Sequence, residues 1–287
     1  MTLDYNTIKP IQITLPENKQ EAKRYYGKHP YFTTRAWNVV QEYVKNFTQP
    51  GDTVLDPFGG SGVTAIEALI LKRKSIHIDL SPLSVFLAQQ TAISPVNLTE
   101  LGEAFNRVKR QCNGRINNWF QLTNDELSNT PINYWYPHNY PLPSNADVKF
   151  VHELFTPRQL ISLAFLHHTI LQEVNIQLRN LLMLAFSATL GKTNRTFVSA
   201  VGRKESRGGA SIFSLYRYYV PDKPVELNVW EEFSRRFENI IKAKKETNDA
   251  IGDFYSDDNF KAINCSATDL AQYIPDETID YVFTDPP

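Results

Sequence analysis

The run Asp56-Pro57-Phe58-Gly59-Gly60-Ser61-Gly62 constrains the chain more than any other stretch. It follows Thr53-Val54-Leu55, a β-branched and apolar run that reads as a buried strand. It leads into Val63-Thr64-Ala65-Ile66-Glu67-Ala68-Leu69, which has helical spacing. The unit is strand, glycine turn, helix. Glycines let the backbone take positive φ and come close to a ligand, and the N–H groups at the helix start favour a negative group. An anion against Gly60 and Gly62 is the expectation. A glycine corner is also an ordinary way to pass from strand to helix, so the reading depends on its surroundings. Ser75-Ile76-His77-Ile78-Asp79 reads as a second parallel strand whose terminal acid is placed to hydrogen-bond ribose hydroxyls. Neither the third glycine of a G-x-G-x-x-G site nor a P-loop lysine is present.

The glycine run, together with Asp285-Pro286-Pro287 far downstream, resembles the first and catalytic motifs of the S-adenosylmethionine-dependent amino methyltransferases, especially the DNA adenine-N6 and cytosine-N4 enzymes. The resemblance covers residues 29–92 and 261–287. It implies an α/β fold: a Rossmann-like class I methyltransferase sheet, incomplete in this chain, with a large, mainly helical insertion. It also implies S-adenosyl-L-methionine as cofactor and DNA as partner. Phe58, Gly59, Gly60 and Gly62 would form the cofactor turn, with the methionine carboxylate as the anion and Asp56 facing the methionine ammonium. Asp79 would hold the ribose, Leu80 would flank the adenine and Asp269 would meet its amino group. His29 and Pro30, just before a helix pattern, match an element that packs over the methionine end. Asp285, Pro286 and Pro287 would be catalytic: a carboxylate and a constrained backbone carbonyl accept the hydrogens of the target amine, whose nitrogen is a poor nucleophile. The aromatic that follows this motif in the family, and that holds the flipped base, is absent here.

Composition agrees with a globular protein: 287 residues, 42% hydrophobic and 21% charged. No apolar run suggests a membrane span, and Met1-Thr2-Leu3-Asp4-Tyr5 lacks the pattern of a signal peptide. The two cysteines, Cys112 and Cys265, are far apart, which points to reduced thiols and a cytoplasmic setting. A net charge of −1 gives no global attraction to nucleic acid, so binding would need a local basic patch. No metal site is expected; His167-His168 sits on an apolar helix pattern and reads as a packed face.

Four regions are expected: an N-terminal arm (1–28), the cofactor-binding first half of the methyltransferase domain (29–96), an inserted helical or recognition domain (97–260), and a return to the sheet (261–287). The insert shows helical spacing over Leu98 to Phe120, Pro157 to Leu171, Ile176 to Leu190 and Val229 to Lys245, with an aromatic loop at Tyr134-Trp135-Tyr136. Lys192, Arg195, Arg203, Lys204, Arg207 and Arg217 are candidate nucleic-acid contacts, with Tyr216, Tyr218 and Tyr219 as stacking platforms. The alternative is that these tyrosines fill the insert's own core while the cations are solvated. The order is uncommon, because the insert falls between the ribose-acid strand and the adenine-acid strand.

The function expected is methyl transfer to adenine N6 or cytosine N4 in DNA. The strands that complete the sheet are expected from a continuation or a second chain, so that this chain alone is not expected to turn over. Other readings are a transfer-RNA guanosine-N2 methyltransferase, a non-catalytic nucleic-acid-binding subunit, or a remnant. Cytosine-C5 chemistry is disfavoured, since it needs a cysteine after proline and neither Cys112 nor Cys265 follows one.

Overall fold

The structure is a computed structural model that describes residues 7–11, 23–32, 34–128, 130–197, 217–222 and 225–286. Four parallel strands form one sheet in the order β3-β2-β1-β4: β1 (Thr53–Asp56), β2 (Lys74–Asp79), β3 (Phe260–Asn264) and β4 (Tyr281–Val282). Helix α1 (Trp37–Phe47) precedes β1, α2 (Val63–Ile70) links β1 to β2, and α3 (Pro82–Ala92) follows β2. The fold is therefore mixed α/β with a parallel sheet. Asp56 is in register with His77, and Asp79 with Asn264, so the functional ends of the strands come out along one edge.

Strand alternation divides the apolar residues between the two faces. Val54 and Phe260 point to the helices, where they pack with Val40 and Val44 of α1, Ile66 and Leu69 of α2, and Ala88 of α3. Leu55, Ile76, Ile78 and Ile263 point to the other face, covered by Leu270, Ile274 and Ile279 from the connection between β3 and β4. Strand β4 is short, and α1 holds it by side-chain packing: Phe47 stacks on Tyr281 with ring centroids 5.7 Å apart, and Tyr43 meets Phe283 edge-on at 5.6 Å.

The chain divides into two compact groups of residues, one of 1–27, 33–96 and 241–287, the other of 28–32 and 97–240. The second is helical: α4 (Leu98–Gln121), α5 (Asn124–Ser128), α6 (Pro157–Ile170), α7 (Ile176–Leu190) and the first part of α8 (Val229–Ala250). Its helix starts follow local capping chemistry. Asn97 accepts the N–H groups of Thr99 and Glu100, and Asn175 those of Gln177 and Leu178. Thr156 and Gln159 form a reciprocal capping box with Pro157 at the first position. Phe105 of α4 stacks on Phe237 of α8 at 4.1 Å. His167 packs between Trp135 and Phe186.

The far end of α8 serves the first group. Ala243 lies in the core beside α2 and α3, and the buried Lys244 ammonium donates to the carbonyls of Gln90, Thr91 and Ile93 at the end of α3. A cation there meets both the orphan carbonyls and the negative end of the helix dipole. Among the described residues, no helix is long and apolar enough to cross a membrane.

Candidate active site

Strand order reverses at β1: the chain runs outward through β2 and β3 on one side and returns to β4 on the other. Connections leaving two such strands diverge and open a crevice at their carboxyl ends. Here the connection after β1 is the glycine turn, and the one after β4 is Phe283-Thr284-Asp285-Pro286. Between them lies a cavity of about 240 Å³ lined by Thr34, Arg35, Phe58, Gly59, Gly60, Ser61, Val63 and Asp285. Two motifs more than two hundred residues apart in sequence thus line one cavity.

The turn is held by His77. Gly59 carries no side chain because a Cβ there would overlap the His77 ring, and Gly62 has φ 85° with Ala88 3.0 Å from where its Cβ would be. The Ser84 hydroxyl donates to the Gly60 carbonyl at 2.5 Å, which uses its one hydrogen, so His77 Nε2–H is the donor in the 3.1 Å bond to Ser84 Oγ. His77 Nδ1 then carries a lone pair and has no partner among the described residues. Burial pushes the imidazole down to about 4, which keeps it neutral.

The backbone N–H groups of the turn are divided between structure and cavity. Gly60 N–H donates to Asp79 Oδ2 at 2.8 Å, and Gly62 N–H to the Gly59 carbonyl at 2.9 Å. The two amides expected to receive an anion are therefore spent within the chain. Ser61 and Val63, which line the cavity at the start of α2, carry the neighbouring amides.

Asp56 is 1% exposed and does not line the cavity. Its carboxylate accepts from Arg35 at 2.9 Å, from the Thr64 hydroxyl at 2.7 Å and from Phe58 N–H at 3.1 Å. Its observed partners are thus Arg35, Thr64 of α2 and the turn. Arg35 is the residue that sequence reasoning missed. It also approaches the Asp285 carboxylate at 3.5 Å and donates to the Asp285 carbonyl at 3.3 Å, with its guanidinium 5.7 Å from the Phe283 ring centre. Its signal in sequence was slight: a lone cation ahead of α1, in a stretch read mainly for His29 and Pro30.

At the end of β2, Asp79 is half-buried and also accepts from Ser81 N–H at 2.8 Å, while Leu80 beside it is 75% exposed. The Ser81 side chain, at the N-terminus of α3, makes no capping bond. Asn264 donates to the carbonyls of Asp79 and Leu80, which joins the ends of β2 and β3. Asp269 follows on a short 3-10 turn, Ala267–Gln272, with its carboxylate 3.4 Å from the Thr268 hydroxyl. None of Asp79, Leu80 and Asp269 lines the cavity shared by the glycine turn and Asp285.

His29 and Pro30 do not line this cavity. His29 Nε2 lies 2.9 Å from Ser187 Oγ of α7 and Nδ1 lies 2.6 Å from the Pro30 carbonyl, and burial pushes its ring down to about 4. The three described candidates for nucleic-acid contact each have an intrachain partner. Lys192 sits 5.6 Å from the Phe197 ring, Arg195 donates to the Glu153 carbonyl at 2.8 Å, and Arg217 pairs with Asp147. Arg203, Lys204, Arg207 and Pro287, with Tyr216, lie outside the described residues.

Residues 5–90 match a protein family described as DNA methylase. The chain is 33% identical over 79 residues to the type II methyltransferase M.MjaII of Methanocaldococcus jannaschii, a match that covers 28% of this chain and 15% of that protein. It is 39% identical over 72 residues to the type II methyltransferase M.BsoBI of Geobacillus stearothermophilus (24% and 14% of the two chains). It is 40% identical over 53 residues to the type II methyltransferase M2.MboI of Moraxella bovis (18% and 19%). Each of these pairwise matches spans well under a third of the relative's own length. No solved structure matches the chain.

Proposed function

We propose that the protein is an S-adenosylmethionine-dependent enzyme that methylates the exocyclic amino group of adenine (N6) or cytosine (N4) in DNA. The observation that carries this reading is that the Gly59–Ser61 turn, inside the DNA methylase match of residues 5–90, shares a cavity with Asp285. The strands would be the first part of a Rossmann-like class I methyltransferase sheet, preceded by an arm at 1–28, with 29–96 and 261–287 as its two sections and 97–260 as an insertion. Methylation is proposed of the whole protein, not of this stretch alone.

The cofactor supplies an electrophilic methyl group. The residues proposed to hold it are Phe58, Gly59, Gly60 and Gly62 as the turn, with the Ser61 and Val63 amides toward its carboxylate. Asp79 is proposed for the ribose, and Leu80 and Asp269 for the adenine. Asp56 fixes the wall through Arg35. At the other wall, the Asp285 carboxylate, 77% exposed, and the carbonyl of Pro286 are proposed to accept the two hydrogens of the target amine. Accepting them localises the nitrogen lone pair. As the N–C bond would form, the methyl–sulfur bond of the cofactor would break with its electron pair returning to sulfur, and the carboxylate would take up the proton that the nitrogen loses. Pro286 keeps this segment constrained, because its φ is fixed. DNA contacts are proposed for Lys192, Arg195 and Arg217 together with Arg203, Lys204 and Arg207.

The test has two parts. This chain should bind S-adenosylmethionine in equilibrium dialysis, and Asp79→Ala should weaken binding about tenfold, the scale of a lost hydrogen bond to a charged group. His29→Ala, measured the same way, decides whether a side chain bonded to Ser187 also serves the cofactor. The whole protein should pass labelled methyl groups to DNA and not to RNA, and Asp285→Ala should abolish transfer. Absence of cofactor binding by the unaltered chain would sink the proposal, and transfer to RNA alone would replace it with the transfer-RNA reading.

A further inference from the structure

The two edges of the Arg35 guanidinium are held unequally. One nitrogen sits on Asp56 Oδ2 at 2.9 Å and Thr64 Oγ1 at 3.2 Å, both on residues 1% exposed. The other edge faces Asp285, with its carboxylate 3.5 Å from Nε and its carbonyl 3.3 Å from the second terminal nitrogen. The Asp56 contact is short, charged and buried. The Asp285 contact is long and engages a carboxylate that is 77% exposed, the kind of ion pair that contributes little in water. Arg35 therefore has an anchored edge and an exchangeable one.

The side chain lines the cavity beside Ser61 and Val63, the two amides suited to an anion. A guanidinium on Asp285 also draws on the lone pairs that a target amine would need.

We propose that Arg35 seats the cofactor's carboxylate and, without cofactor, latches Asp285. The anchored edge stays on Asp56 and Thr64. The other edge leaves Asp285 for the incoming carboxylate, as planar two-point recognition by arginine favours. Asp285 is then free to accept amine hydrogens only when the cofactor site is filled. Arg35 is on this account a cofactor-binding residue that also orders the two binding events. The inference rests on the S-adenosylmethionine reading of the site.

Calorimetric titration of this chain with two probes tests it. S-adenosylhomocysteine carries the amino-acid tail, and 5′-methylthioadenosine keeps the nucleoside and lacks that tail. Arg35→Gln should weaken S-adenosylhomocysteine about tenfold or more and leave methylthioadenosine unchanged. Asp285→Asn, which removes the competing charge, should tighten S-adenosylhomocysteine and leave methylthioadenosine unchanged. Equal weakening of both probes by Arg35→Gln marks a structural role and overturns the inference, as does unchanged or weaker S-adenosylhomocysteine binding by Asp285→Asn. If Arg35→Gln does not fold, Asp285→Asn decides alone, with Arg35→Lys expected to weaken only the tailed probe. If the unaltered chain binds neither probe, the cofactor reading itself fails and the latch falls with it.

Discussion

Asp56 and Glu67 are both buried carboxylates next to the same sheet, yet they are satisfied in different ways. Glu67, on α2 and 0% exposed, accepts from Lys23 at 2.8 and 2.9 Å, from Tyr26 at 2.8 Å, from Gln41 at 2.6 Å and from Tyr25 at 3.3 Å. None of those donors lines the candidate cavity. Burial first, and then the Glu67 charge, push both tyrosine hydroxyls up, so they stay protonated and donate. Asp56 is filled by fewer donors, and one of them, Arg35, reaches on into the cavity. Full satisfaction by inward donors marks a structural staple. A shared donor with one edge at a cavity marks a site.

The comparison breaks most visibly at Glu67. Glu67→Ala leaves the Lys23 charge and three neutral donors without their acceptor, and should cost about 3–5 kcal/mol in urea unfolding. Cofactor binding by the fraction that remains folded should be unchanged. A variant that folds normally and loses cofactor would place Glu67 with Asp56 instead.

The pH dependence of stability sharpens the second side. His77 and His29 both have folded values of about 4, depressed below the ordinary 6.5 chiefly by burial. The unfolded chain therefore binds protons that the folded chain refuses between pH 6.5 and 4. Stability is full above 6.5, falls as pH drops through that window and levels below 4. Each histidine contributes up to about 3 kcal/mol to the fall. His77→Gln should flatten the curve measured by thermal unfolding from pH 7 to 4; an unaltered slope would show that carboxylates dominate it.

The smallest effect expected is at Gly59. Gly59→Ala drives a methyl into the His77 ring and should cost about 1–3 kcal/mol together with cofactor affinity. Because Gly59 lacks a positive φ, the double variant Gly59→Ala with His77→Ala should recover part of both losses. Additive losses would mean that His77 does not set the height of the turn.

Much of the architecture was legible because short-range rules govern it. The strand before Gly59, the acid ending β2, and helices α4, α6 and α7 fall where apolar periodicity and capping residues put them. The glycine run and Asp285 could be singled out because few backbones need those residues in that order. Helix α8 shows the limit: its periodicity predicts a helix, while the fact that Ala243 and Lys244 belong to the core around α3 depends on partners some 150 residues away. The same holds for Lys192, Arg195 and Arg217, which composition presents as one basic stretch and folding gives to separate partners.

By itself, the sequence determined the strand–turn–helix unit, the acids at the strand ends and the likeness to DNA methylases over residues 5–90, since each is written in residues close along the chain. Only the tertiary structure decided which amides of the turn remain for a ligand, that His77 supports that turn, and that Arg35 joins Asp56 to Asp285. Those assignments depend on which donor reaches which acceptor first. In a buried site every such pairing removes a group from use, and only the packed arrangement of the strand ends shows which groups are left.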